Sequence, residues 1–157
     1  MKIRLLQPED GAAVLAMADR AFGEGFFNLE ALTEYTVYVA EEDNKIVGYA
    51  SHFLRESNIY NIDQVVVDPS HRRRGIAQRL ITQLIEDIDD LTAVIETQAW
   101  EYSDTKKVPL ATPLEECGFH RVRLLERIYE TEHGEDAPCS VCGPGCVCNA
   151  WLYRHHF

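Results

Sequence analysis

With 157 residues, 46% of them apolar and 26% charged, the chain is long enough to bury one domain-sized core and too apolar to be disordered. A formal net charge of −11 repels nucleic acid and anionic membrane, which removes both as expected partners, and suits cationic ones, amines among them. Leu5 and Leu6 run at once into Gln7-Pro8-Glu9-Asp10, and no stretch approaches the ~20 apolar residues of a membrane span; neither a signal peptide nor an anchor is expected, and the cytoplasm is the expected compartment.

Lys2 to Leu6 alternates polar and apolar residues and reads as a short strand. Pro8-Glu9-Asp10 opens a helix, since a proline and two acids suit its positive end. Val14, Met17, Ala18, Ala21 and Phe22 share one face of that helix, and Gly23 and Gly25 end it. Residues 28–35 read as a second, short helix. Thr36 to Ala40, a turn at Glu41-Glu42-Asp43-Asn44, and Lys45 to Phe53 form a hairpin, and a third strand runs from Ile59 to Val67. Gly75 to Ile88 is the best helix, with Ile76, Leu80, Ile81, Leu84, Ile85 and Ile88 as its apolar stripe. Leu91 to Ala99 is a strand, Pro113 to Cys117 a helix stopped by Gly118, and Phe119 to Tyr129 and Ala150 to Tyr153 the last strands. No repeat or linker divides the chain, so residues 1–157 are expected to form a single domain, with a cysteine-rich loop at 132–148 between the last two strands.

The segment from Val65 to Ala77 carries the strongest chemical signal. An apolar strand, Val65-Val66-Val67, ends at Asp68-Pro69. A basic loop with Arg72, Arg73 and Arg74 follows, and Gly75, Ile76 and Ala77 open the amphipathic helix. Amides at a helix start are unpaired and point outward, and the helix dipole adds positive potential, so this is an anion site. Small residues at 75 and 77 let a phosphate come close to the backbone. The arginines add charge and forked donors. The bland alternative, a basic turn that only caps a helix, does not account for the strand before and the apolar helix after. A Walker loop is excluded because Gly-Lys-Ser/Thr is missing, and the glycine spacing excludes a dinucleotide fingerprint.

Arg72-Arg73-Arg74-Gly75-Ile76-Ala77 resembles the Gln/Arg-x-x-Gly-x-Gly/Ala signature of the GNAT superfamily, the acyl-CoA-dependent N-acyltransferases. Val67-Asp68-Pro69 is similar to the Val-x-Pro before that loop, Lys45 to Ala50 to the family's third strand, and Glu116-Cys117-Gly118-Phe119 to its late helix ending in Gly-Phe. The resemblance spans roughly residues 1–131 in family order. It implies an α/β (α+β) fold: a mixed, mostly antiparallel sheet of about seven strands, helices on both faces, and a V-shaped splay between strands four and five. It implies acetyl-CoA as cosubstrate, its pantetheine arm along Val65, Val66 and Val67 and its pyrophosphate on the amides of Arg72 to Ala77. It also implies direct attack of an amine, from a small molecule or a peptide, on the thioester, with a backbone N–H near Val67 polarising the carbonyl. Many relatives dimerise, so a homodimer is among the expectations.

An alkyl ammonium with a pKa near ~10.4 must lose a proton before it attacks. The family's glutamate position falls on Asn61, which cannot act as a base. Strict alternation puts residues 61, 63, 65 and 67 on one face. Asp63 is therefore the first candidate base, and Glu96, a carboxylate amid Val94, Ile95 and Thr97, the second. Each has the alternative of being an arginine's partner or an exposed edge residue. The tyrosine acid of many relatives corresponds to Leu114, which leaves Tyr102 or solvent to protonate the thiolate. Cys117 is read as a small packed residue at a helix end rather than a nucleophile.

Cys139-x-x-Cys142-x-x-x-Cys146-x-Cys148 departs from the family. Four thiolates suit zinc, and Gly143-Pro144-Gly145 gives a tight turn. Plain thiols, a redox pair and an iron–sulfur cluster are the alternatives, and His133, His155 or His156 are substitutes for one cysteine. A structural zinc would staple the loop beside the acceptor pocket. Two functions stay open: an N-acetyltransferase acting on a primary amine, and a non-catalytic acyl-CoA-binding module whose zinc-stapled loop docks a partner.

Overall fold

Seven strands form one sheet: β1 (Lys2–Leu5), β2 (Thr36–Glu42), β3 (Lys45–Glu56), β4 (Ile59–Val67), β5 (Val94–Glu101), β6 (His120–Leu125) and β7 (Asn149–His156). Their spatial order is β1-β2-β3-β4-β5-β7-β6, antiparallel except for the β4–β5 pair. Among the described residues four α-helices accompany them: α1 (Gly11–Phe22), α2 (Leu29–Glu34), α3 (Ile76–Asp87) and α4 (Ala111–Glu116). A computed structural model of the chain describes residues 1–130 and 139–157, so the loop segment 131–138, and with it His133, lies outside the described residues.

Helices cover both faces, each through the stripe its sequence supplies. On one face α1 sets Val14, Met17 and Ala18 against Val37, Val39, Tyr49 and Val66. On the other, the apolar stripe of α3 packs Ile76, Leu80, Ile81 and Leu84 against Ala50, Ile62, Ile95 and Tyr153, joined by Leu114 of α4. The β2–β3 hairpin turns through Asp43 and Asn44, whose φ values of 50° and 59° are those of the tight turn that matches strand twist. Asn28 caps α2 by accepting a bond from the Ala31 N–H at 3.0 Å. β5 begins later than the sequence suggests: Asp90 ties down the Thr92 N–H and hydroxyl in a turn, and Leu91 is left exposed. β6 is likewise shorter than read, because 126–130 form turns.

Two irregularities in β4 create the site. Its pairing with β3 runs Ser51 to Gln64 and then His52 to Ile62, leaving Asp63 as the extra residue of a β-bulge. Its parallel pairing with β5 ends at Ile62–Thr97, after which the two strands diverge. The Thr97 hydroxyl donates to the Ile62 carbonyl at 2.9 Å and closes the apex of that V. The bulge corrects the expectation that residues 61, 63, 65 and 67 share a face. Asn61 pairs with Phe53 on the α1–α2 side, and beyond the bulge that side is continued by Gln64 and Val66, while Val65 and Val67 pack with Ile62 toward α3.

Candidate active site

The expected anion site is built by a strand, a turn and a helix start. Asp68 closes the turn after β4, accepting from the Ser70 N–H at 2.9 Å. Arg73, with φ 60°, and Gly75, with φ 73°, bend the chain so that α3 starts with Gly75 as its N-cap. No side chain caps this end, so its amides remain for a ligand. A cleft of about 930 Å³ opens before it, lined by Val65, Val66, Val67, Arg72, Arg73, Gly75, Ile76 and Ala77 and closed across the splay by Trp100 and Tyr102. Arg74 differs from its neighbours in where its side chain goes. Its guanidinium makes a bidentate pair with Glu42 of β2 at 2.8 and 3.0 Å and does not line the cleft. Arg72 donates to the Val67 carbonyl at 3.2 Å.

A second cavity of about 360 Å³ lies on the α1 side of the V. Its walls are aromatic: Phe22, Phe26, Phe53, Trp100 and Tyr129, with Asn61, Asp63, Gln98 and Arg55 as polar members. The two cavities meet where Phe22, Val65, Trp100, Tyr102 and Leu110 line both. Asp63, turned out by its bulge, sits in this second cavity. The fully buried Tyr49 hydroxyl donates to Gln64 Oε1, and Gln64 Nε2 donates to Asp63 Oδ2 at 3.2 Å, so the core orients the carboxylate. Burial lifts the Tyr102 phenol above its ordinary value although Arg72 pulls it down, and this keeps the proton in place at neutral pH.

Glu96 sits differently. It is 5% exposed and lines neither cavity. Its carboxylate accepts from Arg55 Nη2 at 2.9 Å and from Arg154 Nε at 2.9 Å. Burial pushes its pKa up, but the bonds from Arg154 and Arg55 outweigh burial and hold it below the usual carboxylate range. A carboxylate so neutralised is a poor base, and its place is that of a structural ion-pair centre. Leu114, at the usual acid position, is fully buried in the core. Cys117 lies beside Thr82 and the Gln78 carbonyl, its thiol raised by burial and only partly lowered by Thr82.

The four loop cysteines converge. The Sγ atoms of Cys139, Cys142, Cys146 and Cys148 all lie within 4.8 Å of one another, and none is in a disulfide. Burial raises the Cys139 and Cys146 thiols; in Cys142 burial is outweighed by the Val147 N–H and neighbouring thiols, and the value falls to about 7. His155 and His156 do not belong to this group. They lie at the far end of β7, His155 against Phe119 and His156 against His120, a strand length of roughly 20 Å from Cys148.

Sequence reasoning missed the aromatic walls. Phe22 reads as a core position of α1 and Phe53 as a strand end. The available signal was the crowding of Phe22, Phe26 and Phe27 around Gly23 and Gly25, where a glycine-broken helix end holds more aromatic surface than it can bury.

The splayed sheet, the uncapped α3 start and the cleft between them define a coenzyme A-type acyltransferase architecture. The profile of the acetyltransferase (GNAT) family matches residues 7–106, and the chain belongs to that family. No curated protein sequence matches it significantly. Among solved structures, a ribosomal-protein-alanine N-acetyltransferase from Brucella melitensis superposes with a TM-score of 0.75 at 18% identity, over 100% of both chains. The protein yncA from Salmonella typhimurium, solved with its cofactor acetyl-CoA, gives 0.73 at 17% identity, covering 99% of this chain and 93% of its own. Arabidopsis thaliana NAA60, in complex with a bisubstrate analogue, gives 0.71 at 13%, covering 98% and 96%. At these identities the likeness is one of fold. Among the described residues, no helix is long and apolar enough to cross a membrane.

Proposed function

We propose that the protein is an N-acetyltransferase that moves the acetyl group of acetyl-CoA to a primary amine by direct attack in a ternary complex. The observation that carries this reading is the junction of two cavities across the β4–β5 splay, one with an anion cradle and one with a carboxylate. Acetyl-CoA supplies the thioester. The amides from Arg73 to Ala77, helped by Arg72 and Arg73, take the pyrophosphate. The edge of β4 beyond Ile62, which has no β5 partner, takes the pantetheine amides and offers an N–H to the carbonyl oxygen. Asp63 receives the proton of the attacking ammonium, directly or through a water. As the N–C bond forms and the C–S bond breaks, the thiolate takes a proton from Tyr102 or solvent. Gln64 is a positioning residue for Asp63.

The acceptor pocket favours a small organic cation. Six aromatic side chains and one carboxylate at about 360 Å³ suit an ammonium carried on a compact apolar or aromatic group, bound by charge and by ring faces. The neighbour of similar fold named a ribosomal-protein-alanine N-acetyltransferase keeps a peptide amine within this class. The test is free-thiol release from acetyl-CoA with a panel of alkyl amines, arylalkyl amines and short peptides. Acetylated product with at least one cation is the expected result. Tight coenzyme binding without turnover of any amine would leave a binding module instead.

A further inference from the structure

The cysteine loop contains a site that acetyl transfer does not use. Cys139 is 4% exposed and Cys146 and Cys148 are fully buried, and among the described residues their apolar neighbours are Trp100, Tyr129, Val141 and Cys142. Small buried thiols that only fill space have no reason to turn all four sulfurs inward. Here Cys142 Sγ and Cys148 Sγ are 3.8 Å apart, too far for a disulfide. Zinc–sulfur bonds of about 2.3 Å in a tetrahedron place their sulfurs roughly 3.8 Å from each other. The backbone is aimed at the sulfurs as well: the Val141 N–H points at Cys139 Sγ and the Cys148 N–H at Cys146 Sγ, each at 3.4 Å. Such donors stabilise thiolate over thiol. Cys139 and Gly143 exchange reciprocal backbone bonds, at 3.1 and 2.9 Å, which close the Cys-x-x-Cys turn as a rigid knuckle. A multi-iron cluster sits between its ligands and spreads them wider than a single ion does, so the spacing selects one ion.

We infer that Cys139, Cys142, Cys146 and Cys148 bind one structural zinc ion, which fixes a wall shared by the coenzyme cleft and the acceptor pocket. The placement gives the second half of that statement. Ser140 and Val141, inside the knuckle, line the coenzyme cleft, and the Ser140 hydroxyl donates to the Ala21 carbonyl at the end of α1 at 3.1 Å. Trp100 and Tyr129, which pack on the sulfurs, line the acceptor pocket. With four protein ligands the ion has no open position, so its role is to hold and not to react. The metal site does not depend on the acetyl-transfer reading, because metal binding is read without turnover; its effect on the shared wall rests on that reading.

The experiment is elemental analysis of the full-length protein purified under reducing, chelator-free conditions, followed by chelation and refilling. One zinc per chain is expected. Chelation is expected to release four extra thiols to a disulfide reagent, to lower the Tm by several degrees and to raise the KM for acetyl-CoA at least several-fold. Zinc is expected to reverse all three. Cobalt in its place should give the intense visible bands of a tetrahedral four-thiolate site. C146S is expected to lose the metal and C117S to keep it; should C146S not fold, chelation and refilling of the unsubstituted chain still decide. Absence of stoichiometric metal, stoichiometric iron in place of zinc, or disulfides among the four cysteines would overturn the site. An unchanged KM after metal removal would overturn the shared wall.

Discussion

Asp63 and Glu96 are both carboxylates on neighbouring strands at the splay, and their surroundings are opposite. Asp63 is exposed to the aromatic cavity and bonded by Gln64, whereas Glu96 is buried between two guanidiniums. Asp63→Asn keeps the shape and removes the proton acceptor. It is expected to lower kcat by about 10²–10³, to abolish the acid limb of the pH–rate profile and to leave the acetyl-CoA Kd unchanged, as calorimetry beside steady-state kinetics would show. Glu96→Gln should do the reverse. Breaking a buried pair costs about 3–5 kcal/mol, and the partial exposure of Arg55 and Arg154 moves the expectation to about 2–3 kcal/mol in urea unfolding. Its kcat should fall less than ten-fold. Tyr102→Phe separates the two routes for the leaving thiolate: about a ten-fold or greater loss of kcat places the phenol in the reaction, and an unchanged kcat assigns the proton to solvent. The sequence made both carboxylates visible as candidates. It did not show which was neutralised, because Arg55 and Arg154 lie 41 and 58 positions from Glu96 and meet it only through sheet pairing.

At the level of elements, α3 was legible almost to the residue, since its apolar stripe and its glycine start are local signals. The β2–β3 hairpin and all of β4 were legible for the same reason. The bulge at Asp63 was not. Period-two reasoning assumes an unbroken pleat, and one inserted residue reverses which side every later residue faces. The uncapped start of α3 yields its own prediction. Gly75 has φ 73°, and a Cβ there would meet no atom within 4 Å. Gly75→Ala therefore meets no steric clash in the free protein and loses about 1–2 kcal/mol from left-handed strain alone. Its methyl would occupy the space into which a phosphate must come. A ten-fold or larger rise in the coenzyme A Kd is expected by calorimetry, and Gly75→Asn, which tolerates this backbone better, should recover stability and not affinity. Equal affinity for coenzyme in all three proteins would remove the pyrophosphate from this helix end.

Across the whole molecule, hydrogen bonds to a carboxylate link the sheet to the helix on its α3 face, and titration of the groups involved shapes how the fold responds to acid. His52 of β3 is 4% exposed and holds Asp87 of α3 through Nε2 at 3.1 Å; Tyr38 of β2 donates to the same carboxylate at 2.7 Å. Burial lowers the His52 pKa more than Asp87 raises it. The sign follows from linkage. Below the ordinary histidine value of about 6.5 the unfolded chain takes up a proton that the folded chain refuses, so stability falls as pH falls from there toward the lower folded value. The slope of this limb is bounded by about 1.4 kcal/mol per pH unit for one proton. A second limb begins lower. Asp10, bonded by Arg4, and Glu96, where arginine bonds outweigh burial, both have depressed values; the stability they supply is complete above the ordinary carboxylate range near ~4 and is lost as pH falls through their folded values. Tm measured from pH 7.5 to 3 should therefore decline in two stages. His52→Gln, which keeps a donor for Asp87 and cannot titrate, should flatten the first stage and leave the second in place. A first stage of unchanged slope in that variant would show that the acid sensitivity near neutrality arises elsewhere than at the β3–α3 contact.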